Sequence, residues 1–231
     1  MPSLPVCQLA SSAMFERSPN LSQDTPQSLL IFPCNGNAIE AIDCLGPTFD
    51  FVGFVDDTPE KQDEGALGFP VLPRTTFAER PSDQVLAVPG SPSSYTARRS
   101  LIEGLGIDVA RYAKVIHPAA HISSSATVGY NVLAMAGVVI TSNAVIGNHV
   151  CLLPNAVVHH DSKVGNWSLV GTGVAIAGGV DVGENCFIGS GSNILNGVRI
   201  GDQAMIGLGS TVIEDVPAGA VAAGNPARIL R

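Results

Sequence analysis

The residues with the clearest chemical potential lie in the string Asn155-Ala-Val-Val-His159-His160-Asp161, where side chains that titrate near neutral pH are followed directly by a carboxylate. An imidazole there can take a proton from an attacking amine or hydroxyl, and the carboxylate can hold its tautomer and stabilise the imidazolium. The competing role for a histidine at a surface corner is simple solvation, so the pair alone does not define an activity. The five histidines are His117, His121, His149, His159 and His160, and this is the one catalytic-looking group among them. No metal site is expected, because two adjacent histidines do not easily ligate one ion tetrahedrally and the others lack the spacing of a three-histidine site.

What must position this pair is a repeat of six. Reading from Ile116 through Ile122, Val128, Ala134, Ile140, Ile146, Leu152, Val158 and on to Val212, one residue type recurs every sixth place, almost always Ile, Leu or Val. A helix repeats its inner face every 3.6 residues and a strand every 2, so this period fits neither; it fits a β-helix in which each six makes a short strand and a corner. Glycine follows the aliphatic residue at Gly129, Gly147, Gly165, Gly183 and Gly201, a second period of eighteen, hence three sides per coil. Small residues such as Ala144, Ala156, Ser162 and Ser168 suit a narrow lumen, and Gly, Asn and Asp at corners tolerate positive φ. Five to six coils would stand about 25 Å tall at strand spacing. His160 and Asp161 then fall just after inward-facing Val158, on an outward corner where another subunit's coil could pack.

A second candidate site precedes the coil. SLLIF at 28–32, a glycine-containing turn, a short helix through Ala41 and Leu45, FDFVGFVDD at 49–57, QVLAVPG at 84–90 and a helix from about Ser93 to Leu105 alternate as in a small parallel sheet. Such sheets bind ligands at their strand C-termini. There stand Asn35, Gly36 and Asn37 after the first strand, and Asp56 and Asp57 after the second, about twenty residues on, where a carboxylate meets a ribose or base. The G-x-G-x-x-G spacing of a dinucleotide fingerprint is absent; a loop touching a nucleotide-sugar and an ordinary solvated strand end both fit.

The fold class expected is therefore α/β, a small Rossmann-like N-terminal domain over 28–114 followed by a left-handed parallel β-helix over 115–231, with a flexible tail at 1–27. The chain of 231 residues, 45% hydrophobic and 14% charged, can bury a core, and its low aromatic content of 5% with 25 glycines suits a repetitive aliphatic one. A net charge of -8 argues against nucleic acid as a partner. The five cysteines lack C-x-x-C spacing, and neither a signal peptide nor a membrane-spanning run is found, so a cytoplasmic protein without membrane insertion is expected.

Val115-Ile116-His117-Pro118 at the coil entrance, His160-Asp161, Ala177-Gly178-Gly179-Val180 and the closing Gly224-Asn225-Pro226-Ala227-Arg228 together resemble the sialic acid O-acetyltransferase family, which includes bacterial nucleotide-aminosugar N-acetyltransferases. The resemblance covers residues 28–231. It implies a homotrimer with acetyl-CoA as co-substrate between adjacent coils, and a nucleotide-linked 4-aminosugar, made for surface polysaccharide or glycoprotein, held by the first domain through Asn35, Gly36, Asn37, Asp56 and Asp57. It further implies that His160 is the general base and Asp161 its partner, and that the amide of Gly178, next to Ala177, faces the thioester oxygen. Gly224, Asn225, Pro226 and Arg228 would close the CoA end, Arg228 adding positive charge. This sequence departs from the family in Pro33-Cys34-Asn35-Gly36-Asn37, where relatives carry a glycine-rich turn ending in His, and in Leu169, where relatives often carry a His near the acetyl group. Sugar O-acetylation and a non-catalytic trimeric scaffold are the alternatives to N-acetylation.

Overall fold

The computed structural model describes residues 25–231, so the expected tail lies outside the described residues except for its last three positions. The chain begins with strand β1 (Gln27–Phe32), helix α1 (Gly36–Ala41), strand β2 (Phe49–Val55), helix α2 (Pro59–Glu64), strand β3 (Val71–Leu72), helix α3 (Thr76–Glu79), strand β4 (Gln84–Ala87) and helix α4 (Arg98–Glu103). The four strands are parallel in the order β3-β2-β1-β4. Both faces of β1 are covered: Leu29 and Ile31 pack toward the coil with Leu133, Met135 and Leu169, whereas Leu30 and Phe32 pack with Val55, Phe77, Val85 and Ile102. Continuous apolar strands are what a sheet buried on both sides requires. The helix expected over 93–105 divides into a 3-10 turn at Tyr95–Ala97 and α4, with Gly104 ending it. The two-residue β3 was not anticipated; it is too short to show a period.

From β5 (Lys114–Ile116) onward the chain winds through strands of mostly two residues on three faces, which up to Val212 pair in parallel at a spacing of eighteen residues, as Val157 with Ala175 and Lys163 with Asp181. We number the faces from β5: Cys151–Leu152 lies on the first, Val157–Val158 on the second and Lys163–Val164 on the third. The parallel strands and hexapeptide pattern are those of a left-handed β-helix. Every aliphatic position of the sixfold repeat reaches the lumen, from Ile116 and Ile122 up to Ile206 and Val212. Serines also fit inside because their hydroxyls bond between coils: Ser162 Oγ donates to the Ala177 carbonyl at 2.7 Å and accepts the Val180 amide at 3.2 Å. Ser168, Ser192 and Ser210 also donate to backbone carbonyls, so these buried hydroxyls are satisfied.

The repeating glycines serve close approach. A Cβ on Gly165 would stand 2.4 Å from the Gly183 carbonyl oxygen, and neither glycine has positive φ. Positive φ belongs instead to the corner residues Asn143, Asn155 and Asp161, as expected, and also to His149 (φ 59°) and Trp167 (φ 59°). These two bulky residues accept the unfavourable region because tertiary packing holds them: their rings stack 5.7 Å apart, and His149 meets Tyr112 and Tyr130 edge-on at 5.0 Å each.

The sheet docks on the first face through backbone recognition as well as apolar contact. Asn131, fully buried, accepts the Ala87 amide at 2.7 Å and donates to the Ala87 carbonyl at 2.9 Å, so its carboxamide takes the place of a neighbouring strand along β4. Arg98, also fully buried, donates to the carbonyls of Pro89, His149 and Trp167, tying α4 and the end of β4 to two coils. Gly90 leaves room for it, since a Cβ there would lie 2.9 Å from the arginine Cδ.

Asn131 Nδ2 also donates to His149 Nδ1 at 2.9 Å, which requires a neutral ring. Burial, with the nearby Arg98 charge, pushes the His149 pKa down to about 4. The unfolded chain therefore binds the extra proton between about pH 6.5 and 4, and stability falls as pH drops through that window, by roughly 3 kcal/mol for a shift of this size. Urea titrations of the wild type and of His149→Asn, which keeps a residue suited to positive φ, should show the pH dependence in the first and a flatter curve in the second.

Candidate functional site

The corner between the second and third faces gathers the catalytic-looking residues. His160 and Asp161 sit there, both exposed, with His160 Nδ1 2.8 Å from Asp161 Oδ2. An ionised carboxylate only accepts, so Nδ1 carries a proton, and in the neutral ring this tautomer leaves the lone pair on Nε2. Asp161 is placed by the corner itself: its φ is 60°, its amide donates to the Ser142 carbonyl at 3.0 Å, and its Oδ1 accepts Asn143 Nδ2 at 3.1 Å. The hydrogen bonds from His160 and Asn143 hold its carboxyl below the usual carboxylate range, so it stays ionised at neutral pH.

Ala177 and Gly178 occupy the same corner one coil on. The His160 ring lies across Gly178: a Cβ built there would stand 2.5 Å from Nε2 and 2.6 Å from Cε1. Beside them runs a groove of about 270 Å³ lined by His159, Ala175, Ala177, Leu195, Thr211 and Ile213. Ile213 also borders a recess of about 100 Å³ that includes Glu214, Asp215 and Arg228, so the groove leads from His159 toward the end of the coil. Arg228 belongs to the closing hairpin of Val221–Gly224 and Ala227–Ile229, with Asn225 and Pro226 at its turn. The positive charge expected of Arg228 is thus present, but the two carboxylates beside it temper the local field.

A different corner, between the first and second faces, meets the sheet. A cavity of about 620 Å³ opens there between Asn35, Gly36 and Asn37, the loop Pro89-Gly90-Ser91-Pro92 after β4, and the coil residues Leu153, Leu169, Gly171, Phe187, Ser190 and Leu208. Its walls are largely apolar and, among the described residues, carry no charged side chain. A neighbouring cleft of about 510 Å³ shares Pro33, Pro89 and Leu101 with it and adds Asp56, Asp57 and Arg74.

Within these walls several candidates have internal duties. Asn35 Oδ1 caps α1 by accepting the Ala38 amide at 2.9 Å, while its Nδ2 donates to the Val88 carbonyl at 3.2 Å. Asp56 is buried and accepts from Thr58 and from Lys61 Nζ, the latter at 2.7 Å. Burial pushes its pKa up, but the bonds from Lys61 and Thr58 outweigh that and leave it lowered. Asp57 is half-exposed and pairs with Arg74 at 2.8 Å, which makes it the member of the acidic pair open to the cleft.

The sequence pointed to the His160 corner and to the loop after β1; Asn35, Gly36 and Asn37 line a cavity, whereas His160 and Asp161 stand beside a groove whose wall includes His159 and Ala177. It did not bring forward the loop after β4, Arg74 or the leucine wall, although Leu153 and Gly171 stand eighteen residues apart and could have been read as one corner column. The structure does not join the two sites within one chain: the second face lies between the His160 corner and the Asn35 cavity.

Residues 179–214 match the family described as bacterial transferase hexapeptide (six repeats). No curated protein is similar enough in sequence to match the chain. Among solved structures, PerB from Caulobacter crescentus, in complex with CoA and GDP-perosamine, is 30% identical with a TM-score of 0.78, covering 90% of this chain and 99% of its own. A variant of perosamine N-acetyltransferase from the same organism, with the same two ligands, is 29% identical with a TM-score of 0.79, over 90% of this chain and 98% of its own. The acetyltransferase domain of PglB from Neisseria gonorrhoeae, in complex with acetyl coenzyme A, is 25% identical with a TM-score of 0.78, over 89% of this chain and 100% of its own. The chain belongs to the hexapeptide-repeat transferases.

Because Gly178 has no positive φ, alanine is allowed by its backbone, and the added methyl would collide only with the His160 ring among its nearest neighbours. Gly178→Ala should fold normally yet lower acyl-transfer turnover by about tenfold or more, as displacement of a reacting group does. Thermal unfolding and steady-state kinetics on the same preparation check both halves.

Proposed function

We propose that this protein transfers an acetyl group from acetyl-CoA to the amine of a nucleotide-linked aminosugar, with His160 as general base. The observation that carries the reading is the His160–Asp161 pair, with Nδ1 2.8 Å from the carboxylate, on the corner whose neighbouring His159 and Ala177 line a groove along the coil. The similarity to structures solved with CoA, acetyl coenzyme A and GDP-perosamine supports the choice of donor and acceptor. Within the hexapeptide transferases we place the chain in the sialic acid O-acetyltransferase family, on its N-acetylating branch.

In this reading acetyl-CoA lies along the corner from Ala177 toward Gly224, Asn225, Pro226 and Arg228. The sugar amine attacks the thioester carbonyl as its proton passes to His160 Nε2, and Asp161 stabilises the imidazolium. The Gly178 amide, which donates to no partner among the described residues, is available to the developing oxyanion. Collapse of the tetrahedral intermediate breaks the carbon–sulfur bond, and the departing thiolate takes the proton back from His160.

The strand order β3-β2-β1-β4 is that of half a doubly wound sheet, and residues 28–114 form, on this account, a Rossmann-like domain for the nucleotide-sugar. Its crevice lies where the order reverses, between the ends of β1 and β4, which is where Asn37 and Gly36 line the cavity. The nucleotide would extend toward Asp57. Residues 115–231 form the transferase domain. Because the cavity and His160 stand on different corners, a homotrimer that sets one protomer's cavity against its neighbour's His160 would complete each site.

His160→Ala should lower kcat at least a hundredfold, within the range of lost general-base assistance, with the KM for acetyl-CoA changed by less than about threefold. Release of the CoA thiol with a nucleotide-4-aminosugar as acceptor measures both, and undiminished turnover would overturn the assignment of His160.

A further inference from the structure

The His160–Asp161 pair rests on a side chain from the coil below. Asn143 stands eighteen residues before Asp161 on the same corner, and its Nδ2 donates to Asp161 Oδ1 at 3.1 Å. That leaves Oδ2, the other oxygen of the carboxylate, facing His160 Nδ1 at 2.8 Å. Asn143 is itself anchored from beneath, its amide donating to Ser125 Oγ at 3.1 Å. Ser125, Asn143 and Asp161 thus form a vertical ladder in the eighteen-residue register, with the histidine attached to its top rung.

We propose that Asn143 is a positioning residue for acyl transfer, fixing the Asp161 carboxylate so that one oxygen is directed at His160 and the imidazole is held in its Nδ1–H form. The inference rests on His160 being the general base. The physical argument concerns an exposed carboxylate. Within one chain Asp161 and His160 retain 59% and 60% side-chain exposure, so among its described residues no packing wall restricts the carboxylate, and only its hydrogen bonds fix it. A carboxylate held by one bond alone can turn about its Cβ–Cγ axis and release the imidazole; a second donor on the opposite oxygen removes that freedom. Asparagine suits the position twice over, since it supplies an N–H donor and tolerates the positive φ of 59° found there.

The conformational duty and the donor duty can be separated. Asn143→Gly keeps the left-handed corner and removes the donor. Asn143→Asp keeps a residue tolerant of positive φ and the side-chain shape, but opposes one carboxylate to another. Both should lower kcat by about three- to tenfold, the range expected for one net hydrogen bond, with KM for acetyl-CoA and aminosugar unchanged. In an Asp161→Ala background Asn143→Gly should cause no further loss, because its effect passes through Asp161. Full activity of both Asn143 variants, or the same loss in the Asp161→Ala background as in the wild type, would overturn the proposal. Running His160→Ala beside them keeps the two readings apart: loss with His160→Ala and none with the Asn143 variants removes only the ladder's role, whereas full activity of His160→Ala removes the base assignment beneath it.

Discussion

Parallel hydrogen bonding between coils sets each residue over the one eighteen places before it, at strand spacing. Most of the site's geometry follows from this register. It puts Gly178 against the His160 ring, Asn143 under Asp161, and Ser162 where its hydroxyl can bond to the next coil. A slip of one residue would turn the inward aliphatics outward and scatter all three relations. The lumen is therefore filled in repeating layers, with large aliphatics such as Ile140, Ile146, Ile200 and Ile206 beside small residues such as Ala144, Ala156 and Ala204.

The sheet adds a constraint of another kind. Its attachment uses side chains that imitate or grip backbone: Asn131 along the edge of β4, and Arg98 on three carbonyls, with no carboxylate partner among the described residues. A buried guanidinium of this sort is costly unless its donors are occupied, so it favours one docking arrangement over neighbouring ones. The benefit is placement, because the cavity beside Asn37 is walled partly by sheet loops and partly by the coil's leucines, and a loosely attached sheet would leave it undefined.

The coil was legible because its period is long, unbroken and unlike any helix or simple strand. The His160–Asp161 pair was legible because the same period puts it on an outward corner. The strands of the sheet were legible from their apolar runs, while β3 was too short to show a pattern and α4 was overextended, because a 3-10 turn carries the same apolar spacing over so few residues. Asn131, Arg98 and His149 gave no signal, since their partners are backbone groups or rings far away in sequence. The loop residues line the cavity and the cleft beside it, yet sequence could not show that Asn35 and Asp56 are taken up by capping and by Lys61.

The candidate sites thus divide between two corners of the coil, one with the His160–Asp161 pair beside a groove, the other a largely apolar cavity under the sheet. The apolar walls at Leu169 and Phe187 suit a sugar with few hydroxyls facing them. The most direct test of the account is mass spectrometry of the product formed from acetyl-CoA and a panel of nucleotide-4-aminosugars, before and after mild alkali. The account requires a product heavier by one acetyl group that survives alkali as an amide. An alkali-labile ester, or no acetylated product with any aminosugar, would contradict it.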